Sequence, residues 1–498
     1  MRTIKKRKYN EGLKTGGKVI ASGGFGCVFS PALKCKGAKI RRGKNRISKL
    51  LSKKHALEEY NEIQIIKKKL EKISDYKNYF LLDEFSICIP EKLTKTDLKD
   101  YKKKCTALPK VDINETNINE SLDKLRALNM PDGGIPVDDY IYSNNSFENL
   151  YELNKCLISL LQNGIIPMNQ KNIYHCDIKD SNVLVDEKDN KLYTRLIDWG
   201  LSTEYTPFIN EKFPKTWRNR PLQFNVPFSV ILFTDTFIKL YKGFIDSGKE
   251  IIEQNIRPFI VDYIYLWMKE RGSGHYKFIN ELMYMLFSNE LHNIPEKNKA
   301  KLIESDFTMR YITNYLVKIL LNYTVFKTDG NINMRPYLDE VFINIVDVWG
   351  FIVVYYPILE LLYNNYEILD KKQLEIFGLL KSIFINYLYK PRIEPIDIKY
   401  LVSDLEHLGY MFKREFTEEN ILIKTSKLTK TGVTGDTFVP DSNYKLITMR
   451  KNIKTNKNKS NNKLLFKKTS KSKVKKSKIY LFTIKNKNKI NNRTKKNN

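Results

Sequence analysis

Cysteine is scarce: the 498-residue chain has six, at Cys27, Cys35, Cys88, Cys105, Cys156 and Cys176. No two stand at CxxC spacing and their density is low, which argues against a zinc site and a secreted disulfide scaffold and favours a reducing compartment. No apolar h-region follows the basic N-terminus MRTIKKRKYNEG, so no secretory signal is expected and the N-x-S/T sequons carry no weight. The most apolar stretch, WGFIVVYYPILELLY at 349–363, contains Glu360 and is too short to span a bilayer, so no transmembrane segment is expected. Internal repeats are lacking as well. Acids are missing from Lys445 to Asn498, a stretch with twenty Lys or Arg.

That basic stretch holds about two thirds of the formal net charge of +30, so the remaining body is only mildly basic. Rich in Lys, Asn and Ser and poor in apolar residues, it cannot bury enough surface to offset its chain entropy and is expected to be disordered. Its field would attract a polyanion, either nucleic acid or an anionic surface. A solubilising end without a partner and a localisation peptide are the alternatives. The body, with 42% hydrophobic residues overall, is long enough for a large core and about two to four domain-sized units.

Along the body, KVIASGGFGCVFS at 18–30 reads as a hairpin with a Gly-rich turn. From Lys53 to Lys72 an amphipathic helix is expected, with Ile63, Ile65, Ile66 and Leu70 as its apolar positions. Residues 112–128 are acid-rich and ambiguous, PDGG at 131–134 marks a sharp turn, and Leu150, Leu153, Leu157, Leu160, Leu161 and Ile165 indicate a helix over 148–171. Residues 205–340 carry aromatic and aliphatic helical patterns without an evident chemical motif.

The densest motif is YHCDIKDSNVLVD, in which Asp177, Lys179 and Asn182 stand at D-x-K-x-x-N spacing. After two apolar runs split by the turn-like DEKDN comes DWG at 198–200, giving loop, hairpin and second acidic loop. Phosphoryl transfer needs a carboxylate to align a hydroxyl and accept its proton, oxygen ligands for Mg²⁺, and positive charge on the transferring oxygens. Asp177 supplies the base, Lys179 the charge, and Asn182 with Asp198 the hard oxygen donors. Gly200 is expected to let the loop turn tightly behind Asp198.

HCDIKDSN resembles the H-R-D-x-K-x-x-N catalytic loop of protein kinases, and DWG their D-F-G. Lysine two residues after the aspartate is the Ser/Thr-type form. ASGGFGCV resembles G-x-G-x-x-G-x-V with Ala21 at the first glycine; Ser22, Gly23, Gly24, Phe25, Gly26 and Val28 complete it. The resemblance implies that its backbone N–H groups approach the ATP phosphates. It also implies a strand lysine paired with a helix glutamate: Lys49 and Glu62, with Glu59 as the competing glutamate and Lys53 or Lys54 as competing lysines. LNMPDGGIPVDDY at 128–140 stands at the hinge, where backbone near Met130 and Asp132 would hold adenine; Asp138 and Asp139 are read as helix caps, with a reach to ribose as the alternative.

The segment from 346 is similar to the D-x-W-x-x-G helix, with Asp347 buttressing the catalytic loop, except that glycine directly follows Trp349. About 150 residues separate Asp198 from Asp347, without a clear A-P-E between them, and RPLQFNVPFS at 220–229 is a candidate for the substrate-binding region. Arg392 is the candidate structural arginine. Cys176 replaces the arginine that normally grips a phosphorylated activation loop, which implies activity independent of such phosphorylation. The Ala-x-Gly loop, the MPDGG hinge and the long insertion are similar to divergent kinases of large nucleocytoplasmic DNA viruses. That resemblance implies a viral protein of the host cytoplasm and virion.

The expectation is an α+β, protein-kinase-like two-lobed fold. It comprises a basic extension (1–15), a small β-rich ATP-binding lobe (16–130), a large mainly helical lobe (131–412) with an insertion at about 205–340, and a basic, largely disordered tail (413–498). The expected function is a Ser/Thr protein kinase using ATP and Mg²⁺ on protein hydroxyls. A catalytically weak pseudokinase scaffold and a nucleic-acid-binding protein acting through its tail are the alternatives. A small-molecule kinase of related fold is disfavoured by Lys179.

Overall fold

The computed structural model describes residues 17–37, 45–210, 213–287, 294–326, 330 and 332–416. The N-terminal extension and, from 417 on, the basic tail lie outside the described residues. All the described residues belong to one compact unit.

The first half is built on five strands: β1 (Lys18–Ser22), β2 (Gly26–Ser30), β3 (Arg46–Ser52), β4 (Ser86–Cys88) and β5 (Leu125–Pro131). They form one antiparallel sheet in the order β1-β2-β3-β5-β4. The expected hairpin is β1–β2, its turn closed by a Gly23 N–H bond to the Gly26 carbonyl at 2.9 Å. Alternation of side chains splits β3 between two faces. Leu50 joins Val19, Phe29, Leu125 and Ala127 in a buried cluster completed by Leu93, Leu108, Ile113, Ile118 and, from the short α2 (Tyr101–Lys104), Tyr101. Lys49 faces the other way, toward α1 (Lys53–Leu70).

Helix α1 starts at Ser52, whose side chain accepts from the His55 N–H, and ends on Lys67, Lys68 and Lys69, a placement that suits its dipole. Its buried stripe is Ala56, Ile63, Ile66 and Leu70. Ile65 is exposed, contrary to expectation, because it lies about 100° around the helix from Ile66. Four of the six cysteines pair, as Cys27–Cys105 and Cys35–Cys88, at sequence separations of 78 and 53 residues that no local motif announces. Cys156 and Cys176 are free.

At the end of β5 the chain turns into β6 (Ile135–Pro136) and α3 (Val137–Ser143). Gly134 has a φ of +104°, and a Cβ there would lie 2.1 Å from the Val185 carbonyl oxygen. Only glycine permits that approach. The expected helix over 148–171 is α4 (Phe147–Ser159), continued through a wider turn into α5 (Ile166–Gln170). After β7 (Ile173–Tyr174), the two apolar runs flanking DEKDN form the hairpin β8 (Val183–Lys188) and β9 (Lys191–Leu196). Strand β10 (Thr203–Glu204) returns to pair with β7.

The remainder is helical: α6 (Asp235–Asp246), α7 (Glu253–Arg271), α8 (Tyr276–Phe287), α9 (Glu296–Leu302), α10 (Met309–Tyr323), α11 (Arg335–Tyr337), α12 (Ile343–Val353), α13 (Tyr356–Asn364), α14 (Lys371–Phe384) and α15 (Ile398–Phe416). The chain is thus α+β, with a small antiparallel sheet region and a larger helical part. Arg335–Asn364 forms a helical stretch long and apolar enough to cross a membrane, but 94% of its most apolar window is buried inside the fold. Its centre, Trp349, is fully buried, with Phe228, Tyr315 and Tyr389 around it.

Candidate active site

β3 and α1 place the first pair. Lys49 Nζ donates to both Glu59 carboxylate oxygens, at 2.8 and 2.9 Å. It also lies 3.5 Å from Asp198 Oδ1, across 149 residues of sequence. Burial disfavours the Lys49 ammonium, but Asp198 and Glu59 together outweigh it and hold its pKa above the ordinary value. Reciprocally, Lys49 holds the Asp198 carboxyl below its usual range, against the opposing effect of burial.

The expected Lys49–Glu62 pair is therefore corrected to Lys49–Glu59. Glu59, Ile63, Ile66 and Leu70 recur at i, i+4, i+7 and i+11 and share one stripe, whereas Glu62 is rotated about 60° from it and is exposed. Isoleucines three and four residues after a glutamate were an ambiguous guide, because Ile65 turned out to face solvent.

The expected catalytic loop converges on the Asp177 carboxylate. Lys179 Nζ donates to Asp177 Oδ2 at 3.0 Å, and Asn182 Nδ2 donates to the same oxygen at 3.0 Å and to the Asp177 carbonyl at 2.8 Å. Asn225 Nδ2 donates to Asp177 Oδ1 at 2.8 Å. Beneath the loop, buried Asp347 accepts from the His175 N–H at 2.9 Å, the Cys176 N–H at 2.7 Å and Asn169 Nδ2 at 2.8 Å. This is the buttress expected of Asp347. The glycine after Trp349 lets α12 approach closely, since a Cβ on Gly350 would stand 2.6 Å from the Ile178 carbonyl oxygen. His175 Nε2 is 2.9 Å from the Ile197 carbonyl and its ring packs on Trp199, linking this loop to the one carrying Asp198.

Two expectations about backbone need correction. The left-handed residue of DWG is Asp198, with φ +62°, whereas Gly200 is not in that region. Aspartate tolerates the conformation through its short polar side chain, so the turn lies at the carboxylate itself. In the hinge segment, Met130 is in β5 opposite Ile47. The Asp132 N–H donates to the Asn45 carbonyl at 2.9 Å and is spent within the fold, so it is not a donor for adenine.

In the Gly-rich segment, Ala21 pairs with Val28 across β1–β2. Ser22 Oγ accepts from the Thr106 and Ala107 N–H groups at 3.1 Å, which straps the turn to the residues after Cys105. A Cβ on Gly23 would be 3.8 Å from Lys49 Cε, and one on Gly24 would meet nothing within 4 Å. Gly26 is buried, while Phe25 is exposed with its ring 4.6 Å from that of His55.

Sequence reading missed Arg220, Asn225 and Trp217. Arg220 Nη1 donates to the Cys176 carbonyl at 2.7 Å, and Trp217 Nε1 donates to Cys176 Sγ at 2.7 Å. For Arg220 and Asn225 the only signal was their place in the 220–229 candidate substrate-binding region; for Trp217 there was none. Burial pushes the Cys176 thiol well above its ordinary pKa, so it stays neutral and inert. Arg392 donates to the Tyr387 and Asn386 carbonyls and caps a helix end.

Asn182 spends its Nδ2 on Asp177, which leaves its amide oxygen as a donor, and the Ile197 N–H bond to the Asn182 carbonyl at 3.0 Å ties it to the loop that carries the Asp198 carboxylate. Among the described residues, no three His, Cys, Asp or Glu side chains gather as a ready-made metal cage. Two protein donors fit Mg²⁺, which typically takes one or two carboxylates and completes its shell with water and substrate phosphate. No protein-family model matches the chain and no curated protein matches it.

Proposed function

We propose that this protein is a Ser/Thr protein kinase of protein-kinase-like two-lobed fold, transferring the γ-phosphoryl group of ATP to a protein hydroxyl. The observation that carries the reading is the Lys49–Glu59 pair 3.5 Å from Asp198, joined through His175 to the loop that presents Asp177. A lysine fixed between two carboxylates is a preset cation for phosphate oxygens, and its partner glutamate restrains its swing. Asp177, held by Lys179, Asn182 and Asn225, is a carboxylate oriented to accept a hydroxyl proton.

Asp198 and the Asn182 amide oxygen would hold Mg²⁺, which supplies charge neutralisation on the phosphates when bound. Lys179 places a second positive charge beside the Asp177 carboxylate. Gly24, where a Cβ would meet nothing within 4 Å, lets its backbone N–H come near a phosphate oxygen, while the Gly23 N–H is held by the Gly26 carbonyl and shapes the turn. The basic stretch from Lys445 would tether the enzyme to a polyanion.

The test is transfer of labelled γ-phosphate from Mg-ATP to mixed acidic and basic proteins, by wild type and Asp177→Asn side by side. Phosphoserine or phosphothreonine formed by wild type and lost in the variant is the expected result. Equal background signal from two folded proteins would reject the reading in favour of a scaffold.

A further inference from the structure

We propose that Arg220 is a positioning residue that latches residues 217–225 onto the catalytic loop, so that this chain works without a phosphate on the segment that follows Asp198. The inference rests on the phosphotransferase reading above. Charge placement is reversed between positions 176 and 220. A loop-borne arginine at position 176 would need an anion brought to it by the following segment. Here position 176 is a neutral thiol, and the cation comes from the segment itself.

The Arg220 side chain is only 6% exposed. Nη1 donates to the Cys176 carbonyl at 2.7 Å, Nε donates to Gln223 Oε1 at 2.6 Å, and Nη2 stands 3.9 Å from Asp177 Oδ1. Nη2 has no hydrogen-bond partner among the described residues, so its effect on Asp177 is that of a nearby charge. The Arg220 carbonyl accepts from Trp267 Nε1 at 2.9 Å, which ties the latch to α7. A buried guanidinium is costly to desolvate unless fixed partners meet it, and here they are a carbonyl, an amide oxygen and a carboxylate.

Neighbouring contacts act in the same direction. Trp217 bonds Cys176 Sγ and packs its ring against Tyr174, Tyr205 and Phe342. Asn225 bonds Asp177 Oδ1 and the Ile178 carbonyl. Nearer the start of the segment, Asp339 accepts from the Tyr205 hydroxyl and the Phe208 N–H and is itself paired with Arg335 at 2.7 Å. Each of these contacts is made by the chain's own groups, and together they hold the described residues 217–225 against the loop that carries Asp177.

The experiment uses the full chain, treated with a phosphatase that is then removed. Steady-state kinetics is run beside hydrogen exchange of the 213–234 amides, for wild type, Arg220→Gln and Arg220→Lys. Treated wild type is expected to keep its kcat within about twofold. Arg220→Gln should lower kcat about tenfold or more with KM for ATP unchanged, and speed exchange over 217–225, with Arg220→Lys intermediate. Should Arg220→Gln not fold, Arg220→Lys carries the test, its lost fork still lowering kcat at constant KM.

Wild-type kcat and exchange in the variants, or inactivation of wild type by the phosphatase, would overturn the latch while leaving the phosphotransferase reading standing. Absence of transfer by wild type before and after treatment would sink both.

Discussion

Lys49 bonds Glu59 rather than Glu62, and the one-turn difference decides which carboxylate keeps the lysine beside Asp198. Glu59→Gln neutralises the largely buried partner of Lys49, whose side chain is 13% exposed, and Glu62→Gln neutralises an exposed carboxylate. The expected outcome is a loss of about 100-fold in kcat/KM for Glu59→Gln, of the order seen for removal of a preorganised charge in an active site. Glu62→Gln should stay within about twofold. Parallel phosphotransfer kinetics on the two variants checks this, and the reverse ranking would reject the assignment.

The motif residues were legible because they are local in sequence: Asp177, Lys179 and Asn182 lie within six residues of one loop and meet at one carboxylate. Antiparallel β1–β2, the β8–β9 hairpin and the helices from 53 and 148 were legible from local periodicity and turns. What could not be read were contacts across long loops. Arg220 and Asn225 reach the loop from more than forty residues away, in a region whose aromatic pattern suits any buried helix. The choice of Glu59 over Glu62 depended on the rotation of α1, which Ile65 misreported by pointing outward. Burial of Cys27 with Cys105 likewise needs strand β2 and the residue after α2 to be brought together by the whole sheet.

Asp347 accepts two backbone N–H groups and one amide in a site that is 1% exposed. Asp347→Ala strands those donors, each unsatisfied buried group costing about 1–3 kcal/mol. The variant is expected to lose about 2–4 kcal/mol in urea unfolding and to lose transfer activity along with it. Asp347→Asn, which keeps one acceptor oxygen, should fall between. Full stability in Asp347→Ala would show that the buttress is dispensable.

Gly350 is where α12 meets the catalytic loop. Gly350→Ala would set a Cβ 2.6 Å from the Ile178 carbonyl oxygen and 2.9 Å from Ile178 Cβ, so the backbone between Asp177 and Lys179 must shift. Overpacking of this kind costs about 1–3 kcal/mol. The expected signature is a fall in kcat larger than that of Gly378→Ala, whose Cβ meets nothing within 4 Å. Equal kinetics for the two would mean the loop has slack that these distances do not allow.

Asp180, in the same loop, has its pKa raised to about 6, first by burial and then by Asp138. A carboxyl raised in the folded state from 3.8 is stabilised when protonated, so the folded protein gives up stability as pH rises through the window from about 4 to about 6. Above that window the cost is fully present, and below it the cost is gone. Asp180→Asn mimics the protonated form. After allowance for partial exposure of the group, it should be more stable than wild type by about 1–2 kcal/mol at pH 8. The gain should shrink to nothing by about pH 3.5, where both states of wild type are protonated. Urea midpoints for the two proteins across that range decide the matter: a gain that grows as pH falls would have the wrong sign and would remove burial as the cause. Asp138→Asn supplies the second arm. By removing the second-largest cause, it should shift the window downward without abolishing it.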